Sequence, residues 1–139
     1  MSLFKTFKTD NRKETSGIPI TYAPNPDGTI PTFYVARQSK SNKEFQKVTR
    51  KAFKPYKHEL QANNIKDEDA ERLLKETFIK GCLRKWENVR DENDNEIPFN
   101  YDNADKLFTA LPELLENLME ESTKLTNYQT FELEEDAKN

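Results

Sequence analysis

The stretch from Leu73 to Trp86 constrains the fold more than any other part of the chain, because it is the most densely apolar segment of a polar sequence. Its apolar residues recur at the three- and four-residue intervals of an α-helix. They are Leu73, Leu74, Phe78, Ile79, Cys82, Leu83 and Trp86. This set is too wide for one stripe, so the pattern predicts a central helix, capped by Asp67, that other elements contact from two sides.

Three more helices are predicted, each from a capping residue or a proline beside a helical apolar pattern. Ser41 or Asn42 can cap a basic helix, which Pro55 should kink or end. Asn100 can cap a third helix, and Pro112 suits the first turn of a fourth, where its missing N–H costs nothing. The apolar positions of the fourth helix are Leu114, Leu115, Leu118, Met119 and Leu125.

Two β-prone segments precede the helices. Residues 17–22 and 29–37 flank a strong turn signal at Pro24–Gly28, and this arrangement predicts a β-hairpin with a long loop. Pro19 and Pro31 cannot donate a hydrogen bond to a ladder, so we expect those ends of the strands to lie at an edge.

Together these elements predict an α+β fold: a mainly helical single domain of about four helices with an N-terminal β-hairpin. A short hairpin or loop near residues 91–96 should separate the second and third helices. The domain is expected to span residues 17–127, after a flexible basic leader at residues 1–16 and before an acidic disordered tail at residues 128–139. Hydrophobic residues make up only 34% of the chain, so the core should be small.

Side chains suited to catalysis or metal binding are sparse. His58 is the only histidine, and the three glycines form no phosphate-binding loop. Cys82 is the only cysteine, so no intrachain disulfide can form, and we expect it to be a small buried apolar residue. Residues 91–102 are spaced partly as in a calcium loop, but Glu96 stands where that loop needs glycine. We therefore expect no catalytic residues, no metal site and no cofactor.

Membrane and export signals are not predicted either. No stretch approaches the ~18 consecutive apolar residues of a transmembrane helix. The first residues contain no apolar run of signal-peptide length. We therefore expect a cytoplasmic protein with no membrane partner.

Charge is distributed unevenly along the chain. Residues 1–58 carry twelve basic and four acidic side chains, whereas residues 87–139 carry four basic and fifteen acidic ones. The basic helix holds a predicted cationic patch formed by Lys43, Lys47, Arg50, Lys51 and Lys54. Phosphate binding, a solvated helix face and docking to an acidic protein surface are all open interpretations. The sequence pI near 5.4 argues against a dedicated nucleic-acid binder.

A motif of turn, proline and helix-cap residues follows the central apolar stretch. A tryptophan closes that stretch, a polar turn comes next, and an apolar-proline-aromatic step leads to a helix cap and later to a Leu-Pro break. The residues that carry the motif are Trp86, Pro98, Phe99, Asn100 and Pro112. This arrangement resembles that of phage tail assembly chaperones, and the resemblance covers roughly residues 17–127. Two departures are Asn88, where the family usually has glycine, and a turn without glycine, in which Asn95 is a candidate for positive φ.

The resemblance implies a non-catalytic protein made in the host cytoplasm during virion morphogenesis. Such a protein would bind the tail tube protein, the tape measure protein or both before they polymerise, and self-association is also open. Two alternatives remain: a structural virion protein of the tail or connector, and a nucleic-acid-binding protein that uses the basic helix.

The residues expected to contact a partner lie on the fourth helix and in the acidic C-terminal stretch. A chaperone must cover an apolar or edge-strand surface of its client, and short acidic segments with apolar anchors can fold onto a partner. The candidates are Leu115, Leu118, Met119, Tyr128, Phe131, Leu133, Glu134 and Glu135.

Overall fold

The computed structural model describes residues 2–130 and contains the predicted hairpin. Strand β1 (Ile18–Thr21) pairs antiparallel with β2 (Thr32–Val35). A third strand, β3 (Leu83–Glu87), pairs antiparallel with the other side of β2, so the sheet order is β1-β2-β3. Pro19 lies in the edge strand β1, where a residue without an N–H is tolerated.

Strand β3 occupies residues that the apolar periodicity had assigned to the central helix, so that part of the prediction is wrong. The pairing of β2 with β3 shifts between Tyr34 and Val35, and Arg84 is left as an extra residue in β3. Because of this bulge, Leu83 and Trp86 face the same side of the sheet although they are three residues apart, and both are buried. A bulged strand thereby reproduces the apolar spacing of a helix.

The described residues form four long helices and three short ones. In chain order they are α1 (Leu3–Phe7), α2 (Asn11–Ser16), α3 (Lys43–Phe53), α4 (Lys57–Gln61), α5 (Asp67–Gly81), α6 (Tyr101–Ala110) and α7 (Pro112–Glu121). The long helices are the four that the sequence predicts, and with the three-stranded sheet they form a single α+β domain, as expected.

Local signals explain most helix ends. Asn42 caps α3 and Asn100 caps α6, each through a side-chain oxygen that accepts a backbone N–H three residues later. Pro55 lies in a 3₁₀ turn directly after α3, and Pro112 is the first residue of α7. Asp67 is the first residue of α5 rather than its cap, which is Lys66.

The core joins the sheet to the helices. Inward-facing residues of β2 and β3 pack with apolar residues of α5, α6 and α7. On its other side α5 meets α3 so closely that a Cβ at Gly81 would lie 2.8 Å from the Cα of Phe45. The expectation that this central helix is contacted from two sides is therefore confirmed.

The described part of the N-terminal segment, which the sequence predicts to be a flexible basic leader over residues 1–16, packs on the domain. Helices α1 and α2 lie in this segment, and Glu14 is only 3% exposed. The Glu14 carboxylate accepts hydrogen bonds from Arg37 Nη1 at 2.7 Å and from Ser41 Oγ at 2.9 Å. These bonds hold α2 against the segment between β2 and α3, residues that lie far from it in the sequence.

The hydrogen bonds of Glu14 predict that the stability of the fold depends on pH. Burial by itself raises the pKa of Glu14, but hydrogen bonds from Arg37, Ser41 and Thr9 outweigh it and lower that pKa below its ordinary value of 4.5. The stability that these hydrogen bonds contribute should therefore be complete above pH 4.5. It should be lost as the pH falls through the pKa of Glu14 in the folded state. In urea unfolding, Glu14→Gln should be less stable than the wild type at pH 6, and the difference should shrink below pH 4.5.

A matched control for this prediction is Glu59→Gln, because Glu59 is an exposed carboxylate on the short helix α4. The difference in stability between this variant and the wild type should stay close to zero at pH 6 and below pH 4.5. A Glu14→Gln difference that is independent of pH would contradict the assignment of the stabilisation to the ionised carboxylate.

The C-terminal end of the domain also differs from the prediction. Tyr128 lies in a 3₁₀ turn (Leu125–Tyr128), is 0% exposed, and donates its hydroxyl hydrogen to the Val35 carbonyl at 3.0 Å. Thr9 and Gln129 form an isolated β-bridge, so the domain extends past residue 127. The rest of the predicted tail, residues 131–139, lies outside the described residues. None of the helices within residues 2–130 is long and apolar enough to cross a bilayer.

Candidate functional site

An open groove lies where α5, α6 and α7 meet, and it is the best candidate for a binding site. Its volume is about 520 Å³. The apolar residues that line it are Leu74, Phe108, Pro112, Leu115 and Met119. Phe108 is buried and forms part of the floor, whereas Leu74 is 44% exposed. The groove thus presents an apolar surface that no other described element covers.

The rim of this groove is acidic. Glu68, Glu71 and Glu116 are exposed and form no ion pair within residues 2–130. The two rim cations are already engaged: Lys75 pairs with Asp105 at 2.8 Å, and Arg72 pairs with Asp69 on its own helix. An apolar groove with three unpaired carboxylates fits an apolar surface flanked by basic residues.

The structure brings together only some of the predicted partner-binding residues. Leu115 and Met119 are half-buried and line the groove. Leu118 and Tyr128 are 0% exposed, so a partner cannot contact them in this conformation. Both belong to the interior because helix α7 and the 3₁₀ turn pack on the sheet. Phe131, Leu133, Glu134 and Glu135 lie outside the described residues.

Leu74 is the groove residue that the sequence interpretation missed, because all apolar residues of the central stretch were assigned to buried faces. Adjacent positions on a helix are about 100° apart, so Leu73 and Leu74 cannot point into the same core. Leu73 is buried and Leu74 is exposed. The adjacent pair in the sequence is therefore a signal that could have identified an exposed apolar residue.

The residues of the predicted motif shape the body that carries the groove. Trp86 Nε1 donates to the Ile97 carbonyl at 2.7 Å, and the Trp86 and Phe99 rings meet edge to face with centroids 5.1 Å apart. Asn103 Nδ2 donates to the Pro98 carbonyl at 2.8 Å and thereby fixes the start of α6. The motif therefore has a structural role and positions α6 and α7.

Backbone geometry in the motif turn differs from the expectation in one respect. Asn88 has φ of 58°, as suits a position where glycine is common. The second residue with positive φ is Asp94, with φ of 62°, and not Asn95. Asp91 Oδ1 accepts the backbone N–H groups of Asn93 and Asn95 at 2.9 and 3.0 Å, which closes a polar turn.

Reactive groups are not gathered at the groove. Cys82 is buried, and burial raises the pKa of its thiol to about 12, so it is a thiol at neutral pH. His58 is exposed on the short helix α4. Within residues 2–130 no three or more His, Cys, Asp and Glu side chains are grouped as metal ligands.

The predicted cationic patch forms one exposed side of α3. Lys43, Lys47, Arg50, Lys51 and Lys54 are all exposed. Helix α3 packs against α5, and none of these five side chains lines the groove between α5, α6 and α7.

Comparison with known proteins gives a family assignment. The family model described as YdaY prophage protein matches residues 40–139, which include β3 and the long helices α3, α5, α6 and α7. Searches of curated proteins and of solved structures returned no match.

Proposed function

The chain belongs to the YdaY prophage protein family and is therefore phage-related, and from that premise we propose that it is a bacteriophage tail assembly chaperone. It binds tail tube protein, tape measure protein or both during virion morphogenesis and makes or breaks no covalent bond. The observation that carries this proposal is the uncovered apolar groove between α5, α6 and α7. A concave apolar surface with a polar rim is the kind of surface on which a partner helix docks.

The groove suits an amphipathic helix of the client. An amphipathic helix lays its apolar face into a hydrophobic groove and is read through residues about one turn apart. Leu115 and Met119 are one turn apart on α7, and Leu74 lies across from them on α5. The unpaired carboxylates of Glu68, Glu71 and Glu116 would attract basic residues on either side of that face. Covering such a segment would prevent premature polymerisation of the client.

The sequence motif supports the proposed function independently of the groove. The residues that resemble those of tail assembly chaperones, from Trp86 to Pro112, position the two helices that form one wall of the groove. The resemblance and the uncovered surface therefore point to the same part of the molecule.

A groove variant tests the proposal. Leu74→Glu places a carboxylate on the apolar surface and should weaken binding to co-expressed tail tube or tape measure protein by about tenfold or more, because a central apolar contact is lost and a charge is desolvated. Leu74 is 44% exposed, so the variant should still fold. The measurement is affinity capture from cells that co-express both proteins, followed by titration calorimetry of the purified pair.

The matched control is Leu60→Glu, because Leu60 is 42% exposed and lies on α4, away from the groove. It should bind the client as the wild type does. Absence of binding by the wild-type chain to both clients would overturn the proposal. The alternative of a structural virion protein predicts that the chain remains in purified particles, so mass spectrometry of virions distinguishes the two functions.

A further inference from the structure

The cationic side of α3 is not neutralised by the rest of the protein. Ion pairs connect basic and acidic residues of other elements, for example Lys80 with Glu76 and Lys124 with Glu121. None of the five cations of the patch makes an ion pair within residues 2–130, and neither Lys40 nor Lys57 next to the patch does. Unpaired charges of one sign on one face create a field that attracts an oppositely charged partner.

A second groove runs beside this patch, between α3 and α5. Its volume is about 600 Å³, and Arg72 is the one residue that it shares with the groove between α5, α6 and α7. Apolar side chains line much of it: Val48, Ala52, Pro55, Tyr56 and Leu73. Lys47 and Lys51 stand at its edge with no acidic partner. The groove therefore combines apolar surface with unpaired positive charge.

The carboxylates of this groove do not cancel that charge. Glu76 pairs with Lys80 at 2.8 Å, and Glu44 lies 3.4 Å from Arg84. Arg72 bonds to Asp69 and to the Tyr56 hydroxyl. Lys47 and Lys51 are thus the groove cations left to bind a ligand.

We propose that the groove between α3 and α5 binds an acidic segment of a partner protein, with apolar side chains between its carboxylates. Lys47 and Lys51 would pair with the carboxylates. Val48, Ala52 and Pro55 would contact the apolar side chains. The proposal rests on charge complementarity together with the apolar lining, and it is independent of the client-binding function proposed for the other groove.

A nucleic acid fits the same observations less well. Single-stranded nucleic acids stack their bases on aromatic side chains. Tyr56 is the aromatic residue that lines the groove, and the Arg72 guanidinium already lies 5.7 Å from the centre of its ring. Phosphates would also gain nothing from the apolar lining. An acidic peptide uses both the charge and the apolar surface.

A peptide titration tests this proposal with the full chain. The probe is a short fluorescein-labelled peptide of glutamates interrupted by leucine and phenylalanine at helical spacing. Fluorescence anisotropy should show saturable binding at low salt that weakens as salt is added. Lys47→Glu combined with Lys51→Glu should weaken the binding about tenfold or more. Replacing the apolar residues of the probe by serine should also weaken it.

The control is Lys8→Glu combined with Lys106→Glu, which changes the net charge equally at two exposed lysines outside the groove. It should bind the peptide nearly as the wild type does. Leu74→Glu should also bind the probe normally, so failure at one groove is distinguishable from failure at the other.

Three results would overturn the proposal. The first is no binding of the peptide at low salt. The second is an equal loss of affinity in the control variant, which would indicate unspecific attraction. The third is tighter binding of a DNA duplex or single strand than of the peptide, which would make this face a nucleic-acid site.

Discussion

Replacing Tyr128 by alanine should lower the free energy of unfolding by about 3–5 kcal/mol, the usual range for removing a fully buried aromatic side chain. Tyr128 is 0% exposed, and its hydroxyl hydrogen bonds to the Val35 carbonyl. Its own carbonyl accepts the N–H of Asp10 at 2.7 Å, so it joins the C-terminal turn to the N-terminal segment and to β2. Urea unfolding followed by the fluorescence of Trp86, the only tryptophan, measures the effect.

The conservative variant Tyr128→Phe separates packing from hydrogen bonding. It keeps the ring and removes the hydroxyl, so it should lower the free energy of unfolding by only about 1–3 kcal/mol. This is the range for leaving a buried carbonyl without its donor. If Tyr128→Ala changed stability by less than about 1 kcal/mol, Tyr128 would not be a core residue. The sequence-based assignment of this residue to an accessible tail would then be restored.

Replacing Asn42 by alanine should lower the free energy of unfolding by about 2–4 kcal/mol, since it removes a helix cap and leaves buried carbonyls without donors. Asn42 is nearly completely buried. Its Oδ1 accepts the N–H of Phe45 at 3.1 Å, and its Nδ2 donates to the carbonyls of Arg37 and Gly81, each at 3.0 Å. One side chain thereby connects the end of β2, the start of α3 and the end of α5.

Asn42→Asp tests which of these contacts matters. Aspartate caps helices about as well as asparagine, so a residue that acted only as a cap would tolerate this change. Aspartate cannot donate to the carbonyls of Arg37 and Gly81, and it would bring a negative charge to their oxygens. We therefore expect Asn42→Asp to be at least as destabilised as Asn42→Ala in urea unfolding at neutral pH. Wild-type stability of Asn42→Asp would show that the donor contacts contribute little.

The two largest expected losses of stability, at Tyr128 and Asn42, both come from contacts between distant parts of the chain. The sequence could therefore predict these contacts only in part. The sequence identified Asn42 as one of two possible caps, because capping depends on residues within one turn. It gave no signal that the amide would also reach Gly81. Tyr128 was assigned to a tail because acidic residues follow it, and nothing nearby in the sequence indicates that Val35 would accept its hydrogen bond.

The candidate site shows the same division. Leu115 and Met119 follow from the helical spacing of the fourth helix, and the structure places both in the groove. Leu118 has the same spacing, yet it is buried, because its direction depends on where α7 packs against the core. Leu74 and the three rim carboxylates join the groove only when α5 is placed beside α7.

Interactions within a few residues account for the long helices, the caps at Asn42 and Asn100, the break at Pro112 and the hairpin, so local patterns predict all of them. The strand Leu83–Glu87 is different, because a bulge at Arg84 gives it a helical apolar spacing and the ladder with β2 satisfies its backbone. The packing of Glu14 and Tyr128 at the two ends of the domain likewise depends on the folded structure. Those contacts join residues far apart in the chain, and no local pattern encodes which distant partner a buried polar group will find.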